Sequence, residues 1–399
     1  MTIDDRLASD TAKTEYAPPV PAPDRVPLFG RATPAVAVVA LLAVSVVSWW
    51  LIGDPKWSIV GAKADNAGDV GRKYAVVSCL LFWVILAHIF TGFTFANWPF
   101  TKLRQPLAGI AQVVADIILG VLGTLLVTQV VGQWDPTFST SAAAGAGYTA
   151  AAFIVLIGFY AYAFLPTSLD GYPFESVEGP LASVGQWLLG AFLTMVGVVV
   201  LIYPNFNTHL APNAPVSLPT VIGWVYSSIV IVILGGMTLG NFPWAAIRNR
   251  HLRSLAALVV TLGGGYVLML ALRQLLKPLL PDYIKGSPAF ALNAETAQLG
   301  VCVAMCALIA GLIMPPSRIA SAAMSKVVRT VAVLVAGVIV YVLFMRFFAV
   351  NVLHFPAAKG SYGGNPLLWI NWAILIILWH AVAFGGYLAT KPAPALRRA

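Results

Sequence analysis

Three ionisable side chains stand where an otherwise apolar chain has least use for them. His88, Asp116 and His380 each lie inside a long aliphatic and aromatic run. An imidazole exchanges protons near neutral pH, and a carboxylate beside it favours the charged form. Polar groups at membrane depth are costly and mark pathways for solutes or protons. The three residues are therefore read as a proton relay or polar solute site. The plainer reading is two neutral histidines, each hydrogen-bonded to a neighbouring helix. Arg346, between Met345 and Phe347, is the deeper of two arginines near outer helix ends (Arg273 is the other) and joins the candidate pathway. Long basic side chains at such positions can also snorkel to the interface.

Metal chemistry is a second use of the same residues. His88 and His380 are the types that ligate a metal or hold haem iron axially in helical bundles. Cys302 and Cys306, four apart on one helical face with Met305 between them, would suit a soft metal such as copper(I). Small residues at that spacing also simply pack helices together. Haem and copper are thus the cofactor alternatives. A chain with three cysteines, all within apolar runs, has no disulfide framework.

The elements that position these residues follow from composition. Of 399 residues, 59% are hydrophobic and 10% charged, with a mean hydropathy of +0.84. A soluble domain carries roughly 25% charged residues, so soluble, disordered and disulfide-stapled classes are excluded. A bilayer core of ~30 Å needs about 20 apolar residues in a helix. Ten runs qualify: 34–52, 74–95, 107–132, 146–166, 183–203, 218–240, 254–276, 296–315, 328–350 and 366–389. Stretches such as 35–42 (AVAVVALL) do not alternate as barrel strands must. The fold class is an all-α integral membrane protein of about ten transmembrane helices.

With the N-terminus inside, 15 Lys and Arg fall on the cytoplasmic side and 9 on the other. That bias places both termini in the cytoplasm of a bacterial plasma (inner) membrane. Membrane topology also accounts for the net charge of +9, so no nucleic-acid partner is implied. Residues 1–33 read as a flexible tail with no leader pattern, 34–391 as the membrane domain and 392–399 as a short basic tail.

Proline marks a repeat. Pro99, Pro173, Pro243, Pro316 and Pro392 follow the even-numbered runs at intervals of 74, 70, 73 and 76. The expected architecture is five αα-hairpins of roughly 73 residues in parallel orientation, by duplication or by uniform helix length. His88 is 11 residues before Pro99 and His380 is 12 before Pro392. At 1.5 Å per residue both should lie roughly 16–18 Å above the cytoplasmic end. A closed ring of hairpins would bring the first and last together.

No Walker loop, His-Glu-x-x-His or Gly-x-Ser-x-Gly pattern occurs, so hydrolytic chemistry has no support. The first expectation is a permease or channel for a small molecule or ion, with scope for proton coupling. The alternatives are a membrane-embedded redox or haem protein and an accessory subunit. The latter would dock through 170–178 and the basic C-terminus, as a homo-oligomer or with a partner.

Overall fold

A computed structural model of the chain describes residues 25–59, 67–141, 145–169, 171–174, 176–177, 180–207, 209–280, 285, 291–315, 321–355 and 366–392. The N-terminal residues 1–24, the acidic residues Asp170, Glu175 and Glu178, and residues 393–399 lie outside that set. Among the described residues, ten helices are long and apolar enough to cross a membrane, as in an all-α membrane protein. They are α1 (Gly30–Ile52), α2 (Lys73–Thr94), α3 (Leu107–Trp134), α4 (Ala146–Ser168), α5 (Pro180–Phe206), α6 (Leu218–Leu239), α7 (Arg250–Leu279), α8 (Leu292–Ile313), α9 (Ala322–Asn351) and α10 (Pro366–Ala383). Two short strands, β1 (Arg25–Pro27) and β2 (Thr390–Pro392), pair antiparallel with Val26 opposite Lys391.

Burial sorts the helices by parity. In α2, α4, α6, α8 and α10, 50–78% of the most apolar window is buried; in the odd-numbered helices only 17–28% is. Contacts explain the difference. The even helices touch in the order α2–α4–α6–α8–α10 and then α10–α2, closing an inner ring. The odd helices lie outside it, α1 on α10, α3 on α2, α5 on α4, α7 on α6 and α8, and α9 on α8.

Missing side chains set the closest approaches between the two layers. A Cβ on Gly120 of α3 would lie 2.8 Å from the Val84 Cα of α2. On Gly265 of α7 it would lie 2.7 Å from the Ser228 Cα of α6, and on Gly337 of α9 it would lie 2.8 Å from the Val303 Cα of α8. Backbones this close gain dispersion contacts that larger residues forbid. The Gly263–Gly265 run is regular helix, with Gly264 and Gly265 against α6 and Gly263 open.

Four of the five even helices share a way of ending. α2, α6, α8 and α10 close in π turns at Ile89–Thr94, Gly235–Leu239, Ile309–Ile313 and Trp379–Ala383. In three of them the next segment donates an amide six residues back: Asn97 to the Thr91 carbonyl, Asn241 to Gly235 and Gly386 to His380. Asn97, Asn241 and Gly386 are all left-handed (φ 63°, 58° and 70°), a region that Asn and Gly tolerate best.

The expected spans hold to within a few residues at most ends. Two shifts matter. α8 begins at Leu292, four residues before the apolar run, and so includes Glu295. The tenth helix stops at Ala383, because Gly385 and Gly386 turn the chain left-handed and feed it into β2.

Candidate functional site

Asp116 sits on one face of α3 with Gly109, Gln112, Gly120 and Thr124, all buried. These positions recur every three or four residues, so the stripe runs straight along the helix facing α2. The glycine at 120 lets α3 lie against Val84, which brings Asp116 level with His88. His88 Nδ1 is then 2.8 Å from Asp116 Oδ2, and neither side chain has any exposed surface.

Two further donors complete the carboxylate. Thr91 Oγ1 donates to Asp116 Oδ1 at 2.6 Å, and Trp379 Nε1 of α10 donates to Oδ2 at 3.0 Å. Asp116 thus meets three polar partners, two on α2 and one on α10. Gln112 extends the network, donating to Thr91 Oγ1 at 3.1 Å and to Asn97 Oδ1 at 2.9 Å. Gln105 seals its lower edge by donating to the Ala383 carbonyl of α10.

Among the described residues, two atoms in this network have no hydrogen-bond partner: His88 Nε2 and Gln112 Oε1. The His88 ring lies over Gly92, where a Cβ would be 3.3 Å from Nε2 and 2.9 Å from Val382 Cγ1. Its other face meets Phe93 edge-on, ring centres 6.3 Å apart. Nε2 is thus the nitrogen of the pair that faces apolar side chains and no fixed polar partner among the described residues.

The other expected site residues divide. His380 is buried in the α10 π turn next to Trp379, yet among the described residues its ring makes no hydrogen bond with His88 or Asp116. The turn geometry shows why the spacing misleads. His380 holds the place of Thr91, six residues before the left-handed exit, whereas His88 is nine before Asn97. Pro392 belongs to β2 and is not the counterpart of Pro99. Arg346 is exposed on the outer helix α9, away from the pair. Cys302 is fully buried, with its thiol directed at the Gln298 carbonyl at 3.4 Å, and Cys306 is half-buried one turn on. Among the described residues no three His, Cys, Asp or Glu side chains converge as metal ligands.

Sequence reasoning missed several participants. Gln112, one turn from Asp116, was a legible signal: two polar residues on one face of an apolar helix. Trp379 and Thr91 gave none, since an aromatic and a threonine are ordinary there. Glu295 is a second fully buried carboxylate, accepting from Tyr341 at 2.8 Å and from Gln298 at 3.2 Å.

The inner ring carries a partly open cavity. All five even helices line it, among them Phe93, Phe159, Ile233, Leu308 and Leu378, and about 90 Å³ of it is open to water-sized molecules. Phe93 is the link between the two features, lining the cavity and bordering His88.

The chain matches no family model, and no curated protein or solved structure matches it.

Proposed function

We propose that the protein is a permease or channel for a small solute, with the inner-ring cavity as the solute's place and His88–Asp116 as a proton-exchanging pair beside it. The observation that carries this reading is one cavity lined by all five inner helices. Ligand sites in helical bundles form between facing helices in just this way. The outer layer, exposed and apolar along most of its length, suits lipid.

The five-hairpin architecture belongs to the same proposal. Its support is geometric repetition: Gly120, Gly265 and Gly337 make equivalent approaches, and the π-turn exits recur in four helices. Five parallel copies place both ends of the membrane domain on one face, and the β1–β2 ladder agrees with that. Following the basic-residue bias, that face is cytoplasmic and the membrane a bacterial plasma membrane.

The test is uptake into proteoliposomes driven by a pH gradient. Asp116→Asn should abolish acceleration by the gradient while leaving the protein folded. Gradient-driven uptake equal to that of the unaltered protein would overturn the role of the pair.

A further inference from the structure

The cavity's chemistry says more about its occupant than its position does. None of its lining residues is Asp, Glu, Lys, Arg or His. Its polar members are Thr167, Tyr226 and Asn371. Thr167 is already committed, donating to the Ala163 carbonyl. Tyr226 donates to Asn371 Oδ1 at a long 3.3 Å, and Asn371 Nδ2 donates to the Leu367 carbonyl at 2.6 Å. That leaves an acceptor on the phenol oxygen and one amide N–H on Asn371, a donor and an acceptor side by side.

Everything else in the wall is hydrocarbon, aromatic ring or thioether. A full charge moved from water into such a lining is strongly disfavoured without a paired countercharge. Asp116 is already engaged by three partners and does not line the cavity. The size sets a second limit. A cavity of roughly 150 Å³ lined by Leu, Ile and Phe takes benzene or xenon, so 90 Å³ suits a body no larger than benzene, about six heavy atoms at most.

We infer that the inner-ring cavity binds an uncharged small molecule with an apolar body and a single hydrogen-bonding head held by Tyr226 and Asn371. This rests on the permease reading for its biological use, but the binding site itself does not. It excludes ions, amino acids and phosphorylated solutes as occupants. It also separates the proton from the solute: the pair at His88 acts on the ring wall, not on the ligand.

An isosteric series tests it. The full chain in lipid nanodiscs is photolabelled with a short aliphatic diazirine alcohol, and labelled peptides are mapped by mass spectrometry. Competitors at pH 7 are 1-butanol, butyramide, butyrate and n-butylammonium. Label should fall on the α6 and α10 segments around Tyr226 and Asn371. The two neutral competitors should displace it at concentrations at least tenfold lower than the two ions. Ala304→Phe should fill the space and remove the label. Asn371→Leu, which keeps the volume, should retain the label and lose most of the advantage of butyramide. Ions competing as well as their neutral isosteres, or label confined to the outer helices, would overturn the inference. The outcomes also separate the two proposals. The expected labelling in a protein that moves none of the four compounds removes the permease reading alone. Butyrate flux blocked by Ala304→Phe keeps the permease and removes the neutral ligand.

Discussion

His88 Nδ1 and Asp116 Oδ2 meet at 2.8 Å between α2 and α3, with no exposed surface on either side chain. The pair ties two neighbouring helices, and Trp379 ties the same oxygen to a third. Removing one member of such a pair leaves the others buried and unpaired, which costs about 3–5 kcal/mol. Asp116→Leu should lower stability by that order, measured by denaturant unfolding in detergent. Adding His88→Leu should recover part of the loss. A double variant no more stable than Asp116→Leu would show that the pair is not the source.

Helix spacing gives a second expectation. Gly120→Val would force α3 away from Val84, where even a Cβ comes within 2.8 Å of backbone. A Cβ on Gly263 meets nothing within 4 Å. Gly120→Val should therefore lower the thermal midpoint by several degrees, while Gly263→Ala leaves it unchanged or slightly raised through its better helix propensity.

The contact between α2 and α10 can be trapped directly. A Cβ at position 92 would lie 2.9 Å from Val382 Cγ1, within reach of disulfide geometry. With Cys79, Cys302 and Cys306 replaced by alanine, Gly92→Cys and Val382→Cys should crosslink under mild oxidation. Proteolysis between the helices followed by non-reducing electrophoresis would reveal it. Separate fragments would contradict the closed inner ring.

A loop acid supplies a pH dependence. Burial works to raise the Asp135 carboxyl, but the Thr137 side chain and amide and the Tyr203 hydroxyl outweigh it and hold it below its ordinary range. A depressed folded-state pKa stabilises above the unfolded value, about 3.9 for aspartate, and is lost as pH falls through the folded one. The stability gap between the unaltered protein and Asp135→Asn should stay constant near neutrality and close below about pH 4. Thermal midpoints across that range check it.

At the opposite end of the molecule from the β1–β2 ladder, fully buried Asp54 accepts from His354 Nδ1 at 2.7 Å and from the Lys56 and Trp57 amides. It joins the segment after α1 to the one after α9. Asp54→Ala should raise hydrogen exchange across 53–59 and 352–355 together. Change on one side only would mean the two segments are not coupled.

Much of this was legible in the residues. Apolar length fixed where the helices run, and a lone aspartate in an apolar helix pointed to Asp116 before its partners were known. Parity was not legible, because α3 and α4 are similarly apolar; only contact shows which is inside. The position of His380 misled, since proline counting ignores how each helix ends, and a π turn followed by a left-handed residue resets the register. Glu295 escaped because hydropathy starts the eighth run one residue after it. The cavity's polarity depends on which face of each inner helix turns inward, and rings closed by five helices leave no simple period to reveal that.

The ladder between Arg25–Pro27 and Thr390–Pro392 has a topological consequence. It brings the two ends of the helical bundle together near the seam where α10 meets α2. A circle of units with adjoining ends has no privileged starting point. The chain could be rejoined across that seam and opened between other helices, and the same two-layered ring should assemble. Connectivity here is a matter of bookkeeping, while neighbour packing defines the molecule.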